Sequence, residues 1–312
     1  MTIQELQKRI LAVKREKNVA VLAHSYQSRA VTEVADVVGD SFALSAKAAE
    51  LDTPNVLMCG VRFMAETVKI LSPGKRVYLS EVNAGCPMAE QLDTALLARI
   101  KNTLPNHTFV AYINTTAELK TQVDVCVTSS SAVKIVNALP NENIAFIPDA
   151  NLGDYVRGQC PGKNVWTFSG GCPVHIRLTI EELNAAKAQH PNAQVLAHPE
   201  CGKDIQQVAD FIGSTSEIMA FARKSRHTEF IIATEIHIVE HLQYDCADDE
   251  PYKFFYPASK DLICPNMQLT TPGTILDALN SIGSADNPRE ILLDDDTIAK
   301  ARRSIDRMLE LG

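Results

Sequence analysis

Cys86, Cys172 and Cys264 each stand directly before a proline, in Gly85-Cys86-Pro87, Gly171-Cys172-Pro173 and Ile263-Cys264-Pro265. Proline fixes its own φ and lacks an N–H, so each thiol is expected on a sharp, rigid turn. Three cysteines on three similar turns, far apart in sequence, suggest three arms that reach one centre. Three thiolates can hold a [4Fe–4S] cluster and leave one iron without a protein ligand. Such an iron can act as a Lewis acid on a hydroxyl or carboxylate. The competing explanation is three unrelated buried cysteines, since no Cys-x-x-Cys pair supports a cluster; the shared proline favours the metal. Cys172-x-x-His175 and His198-x-x-Cys201 also offer the ligand types of a structural Cys₂His₂ zinc site. Cys160-Pro161 is out of step with the other three pairs and reads as a surface loop. Cys59, Cys126 and Cys246 read as packing residues.

Two further groups bear chemistry. Ser41, Thr128 to Ser131 and Ser214 to Ser216 open helical patterns. Free amides at a helix start, joined by hydroxyls, bind phosphate or carboxylate without Lys or Arg. Plain N-capping explains each one singly, but three at equivalent positions favour an anionic small molecule. The second group is His24, Tyr26, Tyr112, Asn114, His198 and Glu200, whose imidazole, phenol and carboxyl groups can move protons in condensation and dehydration. Arg62 and Glu66 either order their own domain or border the site. His107, His190, His227, His237 and His241 read as core or solvated residues. No Walker loop or GxGxxG is present, which argues against a nucleotide cofactor.

The elements that must position these groups form a threefold repeat. Val19 to Tyr26, Phe109 to Asn114 and Gln194 to Glu200 are apolar runs with polar ends, the pattern of buried parallel strands with functional carboxyl ends. His24 to Ser41, Tyr112 to Ser129 and His198 to Thr215 each span 17 residues. The landing segments match as Ala35-Asp36, Val123-Asp124 and Ala209-Asp210, and each repeat closes on its Cys-Pro turn 43 to 49 residues after the hydroxyl. Strands alternating with helices give α/β units with parallel sheets, whose ligands bind at the strand carboxyl ends. The expected fold is therefore three similar three-layer α/β/α domains around a pseudo-threefold axis, with a central active-site cavity. The expected limits are an N-terminal helix at 1–17, repeats at 18–106, 107–191 and 192–275, and a helical tail at 276–312. The tail helix is capped by the aspartates at 294–296 and given a scaffolding role.

The net charge of −8 offers no basic field for nucleic acid or acidic membrane. No apolar run approaches a membrane span, and Met1 to Lys17 is unlike a signal peptide, so the cytoplasm is the expected location.

These residues resemble the quinolinate synthase family along essentially the whole chain. The resemblance rests on Ala23-His24-Ser25-Tyr26-Gln27, Gly39-Asp40-Ser41, Cys59 to Glu66, Asn83 to Met88, Tyr112-Ile113-Asn114, Gly170-Gly171-Cys172, His198-Pro199-Glu200-Cys201 and Cys264-Pro265-Asn266-Met267. It implies a [4Fe–4S] cluster on Cys86, Cys172 and Cys264, in a cavity between three domains. It implies condensation of iminoaspartate with dihydroxyacetone phosphate to quinolinate, with loss of phosphate and water, and a functional link to the enzyme that makes iminoaspartate. His24, Tyr26, Tyr112, Asn114, His198 and Glu200 would line the site. Ser41 and Ser129 would hold the triose phosphate, and Thr215 and His175 carry over as further substrate contacts. Tyr26 and Glu200 are the expected acid–base pair, with His24 and His198 beside them. Some relatives carry Cys-x-x-Cys-x-x-Cys at the last ligand; here the earlier positions are Ala258 and Asp261, so no dithiol switch is expected. The alternatives are an aconitase-like hydro-lyase acting on another small carboxylate, and an iron–sulfur or zinc sensor that binds a metabolite without turnover.

Overall fold

Val19–His24 (β1) is buried at every residue, as a strand covered on both faces requires. In the computed structural model, which describes residues 1–312, β1 is flanked by Val37–Gly39 (β2) and Asn55–Cys59 (β3), with Arg76–Leu79 (β4) at the far edge. The same plan recurs twice. Thr108–Tyr112 (β5), Val125–Val127 (β6), Asn143–Ile147 (β7) and Asn164–Thr167 (β8) form the second sheet. Gln194–Ala197 (β9), Phe211–Ile212 (β10), Glu229–Ala233 (β11) and Phe254–Pro257 (β12) form the third. The orders β2-β1-β3-β4, β6-β5-β7-β8 and β10-β9-β11-β12 are equivalent, and every pairing is parallel. The chain thus forms three similar α/β/α domains. In each, the crevice between the first two crossovers opens at the carboxyl end of the central strand, where open parallel sheets take their ligands.

The aspartate that recurs in each landing segment ties the edge strand to the central one. Asp36 Oδ2 accepts the Val21 N–H at 2.8 Å, Asp124 Oδ2 the Phe109 N–H at 2.7 Å, and Asp210 Oδ2 the Val195 N–H at 2.8 Å. The three aspartate N–H groups return the bond to the carbonyls of the same three residues. The acceptor is needed there because β2, β6 and β10 begin beyond this point and leave the central strand's N–H unpaired.

The cores are shared unequally. One cluster of 46 buried residues runs through the first and second domains and takes in Ala301, Ile305 and Met308 from the helix Asp295–Leu311. The third sheet has two smaller clusters, of 12 and 9 residues, one on each face, and the larger also takes in Val174, Leu178 and Leu183 from before residue 192. The helix Pro272–Ser281 starts on a Thr271 capping box with proline in its first turn. It runs through the expected limit at 275/276 and buries Ile275, Leu276, Ala278 and Leu279 with Ile10, Val19 and Val21 on the outer face of the first sheet. No helix is long and apolar enough to cross a membrane.

One sequence expectation is corrected. Cys160 is fully buried, not on a surface loop. It ends the helix Ala150–Gln159, and its thiol turns inward to the Val133 carbonyl at 3.7 Å.

Candidate active site

The three strand ends converge on one cavity of about 870 Å³, counted out to its mouth. Each sheet contributes the residue at or just past its central strand's end and the residue two further on: His24 and Tyr26, Tyr112 and Asn114, His198 and Glu200. Cys86, Cys172 and Cys264, Ser41, Ser129, Thr215 and His175 line the same cavity. The residues that the family resemblance implies for the site therefore lie around one cavity.

The cysteines arrive by one device. Each is the N-cap of a single-turn helix with proline first: Pro87–Glu90, Pro173–Ile176 and Pro265–Gln268. Proline costs nothing at this position, where the N–H would have no helical partner. Burial pushes the Cys86 thiol up to about 12, while the amides of Ala89 and Met88 pull it down. Burial also raises Cys172 and Cys264, again opposed by amides two and three residues on. Three protonated, desolvated thiols facing one space, each opposed by N–H groups that favour thiolate, are a donor set suited to a metal that displaces the protons. The zinc alternative is not assembled: Cys201 is buried and its thiol goes to the Ala233 carbonyl at 3.3 Å. The donor atoms of Cys172, His175 and Glu200 do lie within 4.8 Å of one another, close enough for a single ion.

The acid–base groups lie close to one another. The Tyr112 hydroxyl donates to Glu200 Oε1 at 2.6 Å, and His175 Nδ1 lies 2.8 Å from Glu200 Oε2. His175 Nε2 meets Thr234 Oγ1 at 2.9 Å, and Thr234 Oγ1 meets the Tyr26 hydroxyl at 2.9 Å. Thr215 donates to the same Tyr26 oxygen at 3.1 Å. Burial alone would raise Glu200, but His175, then His198 and the Tyr112 hydroxyl, outweigh it and hold the carboxyl below its usual range. Burial, with the Glu200 charge, pushes both Tyr26 and Tyr112 up, so both stay protonated. His24 and His198 are held down at about 4 by burial. Their Nδ1 atoms accept the N–H groups of Tyr26 at 3.1 Å and Glu200 at 3.3 Å, which fixes the neutral tautomer with its proton on Nε2.

The hydroxyls of Ser41 and Thr215 are not spent on capping. Asp40 caps the helix Ser41–Glu50, and Ser214 caps the helix Thr215–Lys224. Ser41 and Thr215 are therefore first-turn residues that line the cavity, and Thr215 spends its hydroxyl there on Tyr26. In the second domain Thr128, Ser130 and Ser131 bond one another, and Ser129 faces the cavity. Asn114 Oδ1 is buried without a partner, as a ligand-facing acceptor would be. Arg62 and Glu66 do not line the cavity. Glu66 bonds Arg62 at 3.3 Å and accepts the Ala117 N–H at 2.9 Å, joining the first two domains.

Thr234 is the link that sequence reasoning missed. It follows β11, and its repeat positions are Gly60 and Pro148, so no recurring hydroxyl marked it.

A family profile described as "Quinolinate synthetase A protein" matches residues 8–310. The chain belongs to the quinolinate synthase family. Curated relatives named quinolinate synthase include the proteins of Caldicellulosiruptor bescii, 41% identical over all of both chains, and Thermodesulfovibrio yellowstonii, 43% identical over 97% of each. The quinolinate synthase of Clostridioides difficile is 40% identical over 99% of each chain. The family match covers all three domains of this quinolinate synthase family member, including each Cys-Pro turn and each strand-end pair.

Proposed function

We propose that this chain is a quinolinate synthase of NAD biosynthesis, which condenses iminoaspartate with dihydroxyacetone phosphate to quinolinate and releases phosphate and water. The reading is carried by one observation: three thiols, a set of acid–base groups and the hydroxyls of Ser41, Ser129 and Thr215 share a single cavity, in a chain of this family.

Cys86, Cys172 and Cys264 fit a [4Fe–4S] cluster, because three thiols line one cavity and each faces amides that stabilise thiolate. When bound, the cluster's open iron would supply a Lewis acid for a substrate hydroxyl or carboxylate. The chain's own residues do the rest. Ser41, Ser129 and Thr215 bind the phosphate through hydroxyls and first-turn amides, which need no lysine or arginine. Tyr112 and Asn114 orient the dicarboxylate. Glu200, ionised between Tyr112 and His175, takes the proton from the carbon that must become a nucleophile. Tyr26, protonated and held between Thr215 and Thr234, gives a proton to a departing hydroxyl. It is resupplied through Thr234 and His175. His24 and His198 donate from Nε2 to developing negative charge without carrying charge themselves.

Anaerobic incubation of the reconstituted protein with iminoaspartate and the triose phosphate tests this. Quinolinate and phosphate should form in equal amounts. Turnover of a phosphate-free hydroxy acid, with no quinolinate, would favour a hydro-lyase; binding without any product would favour a sensor.

A further inference from the structure

Each of the three cavity cysteines has its backbone N–H taken by a carboxylate. Cys172 donates to Asp149 Oδ2 at 3.1 Å, Cys264 to Glu235 Oε1 at 3.4 Å, and Cys86 to Glu90 Oε1 at 3.1 Å. Asp149 and Glu235 are fully buried. They occupy one repeat position, two residues past β7 and β11 and 20 residues after Ser129 and Thr215. The adjoining backbone repeats as well. The next residue's N–H donates to the carbonyl two before the cysteine: Arg62 to Ala84, Ala150 to Gly170, Ile236 to Leu262. In the first domain the equivalent position is Val61, which offers no acceptor. There the exposed Glu90, four residues past Cys86, takes the N–H instead.

Burying a carboxyl group is costly unless both oxygens are used. Here they are. Asp149 Oδ1 accepts the Leu152 N–H at 2.8 Å while Oδ2 holds Cys172. Glu235 Oε2 accepts the His237 N–H at 2.9 Å while Oε1 holds Cys264. Both carboxylates therefore fix the turn that carries a cavity thiol to the strand end behind it. Resting on the cluster reading above, we infer that Asp149 and Glu235 are positioning residues for the cluster ligands, each locking the backbone of one cysteine so that its sulfur faces the cavity, and that Glu90 substitutes for them in the first domain.

A side-chain amide has one acceptor oxygen. Asp149→Asn and Glu235→Gln must each turn an NH₂ toward one of their two N–H partners. Glu90 uses a single oxygen on Cys86, so Glu90→Gln keeps its bond. The experiment follows cluster loss to an iron chelator under anaerobic conditions, from reconstituted full-length chains whose starting iron and sulfide are measured. Asp149→Asn and Glu235→Gln should lose the cluster about 10-fold faster than the native chain, the scale on which partners of metal ligands act, and Glu90→Gln within about twofold of native. Asp149 also caps a helix, so Asp93→Ala, which removes a helix cap, serves as the control. Asp93 Oδ1 caps its helix at the Leu96 N–H, at 2.6 Å, with no cysteine attached. That variant should lose thermal stability and keep the native rate of cluster loss; accelerated loss there would overturn the inference. If Asp149→Asn fails to fold, Glu235→Gln carries the test alone. Native rates in the buried-carboxylate variants would overturn the inference and leave the cluster reading intact. A native chain that takes up no iron or sulfide would overturn both.

Discussion

His24 and His198 sit within a cavity full of acids yet are neutral, because burial outweighs Asp40 and Glu200. Their pKa values of about 4 lie below the ordinary value of 6.5. Between those limits the unfolded chain binds protons that the folded chain refuses. The stability gained from the neutral rings is complete above about pH 6.5 and is lost as pH falls toward 4, by about 1.4 kcal/mol per pH unit for each ring. Denaturant midpoints of the metal-free chain at pH 7, 6 and 5 check this; a flat profile would contradict it. Glu200→Gln and Tyr26→Phe should each lower turnover by about 100-fold or more, the usual worth of a positioned acid or base, with iron and sulfide content unchanged. Full turnover in either would remove that residue from the acid–base role. Thr234→Val leaves the buried His175 Nε2 without a partner, which costs about 1–3 kcal/mol of stability. It also cuts Tyr26 from its proton supply, so turnover should fall while substrate KM changes little. A rise in KM alone would mean that Thr234 only shapes the pocket.

At the level of elements, the chemistry sits where strands stop and helices start. The 17-residue interval from strand end to hydroxyl was legible because it is the path from the central strand across its first helix to the next one, and each repeat keeps it. The Cys-Pro turns were legible because proline can open a helix but not continue one. Capping by Asp40 and Ser214 was hidden: a run such as Ser214-Thr215-Ser216 does not reveal which hydroxyl points back at its own helix. Asp149, Thr234 and Glu235 were hidden for another reason. They follow the third strand of each sheet, where the first domain carries Gly60 and Val61, so the repeat breaks at the position that matters. Cys160 was misplaced because a Cys-Pro pair fixes a turn but says nothing of what packs over it. The terminal helix Asp295–Leu311 makes a stronger contribution than its place at the chain end suggests. Ile305 and Met308 are fully buried in the core common to the first two domains. Ile305→Ala or Met308→Ala should destabilise the protein by about 2–5 kcal/mol, measured by equilibrium unfolding. A loss under about 0.5 kcal/mol, the scale of surface substitutions, would show that the helix is only appended.

For the whole molecule, three domains of one topology bring three thiols and three strand-end pairs to a shared cavity, but they are not joined alike. The first two share one large continuous core, whereas the third sheet is packed by two smaller clusters, one of which also takes in Val174, Leu178 and Leu183. Contacts between the third domain and the first include polar ones, such as the Ser216 hydroxyl on Asp40 Oδ2 at 2.6 Å and the Tyr26 hydroxyl on Thr234. A centre that draws one ligand from each domain would tie the third to the others. The central claim is therefore that Cys86, Cys172 and Cys264 hold one cluster together. The direct measurement is iron and acid-labile sulfide per chain after anaerobic purification, for the native protein and for Cys86→Ala, Cys172→Ala and Cys264→Ala. About four of each per native chain, lost in all three variants, is the predicted result. Zinc in place of iron, retained without Cys86 or Cys264 and lost only without Cys172, would contradict it.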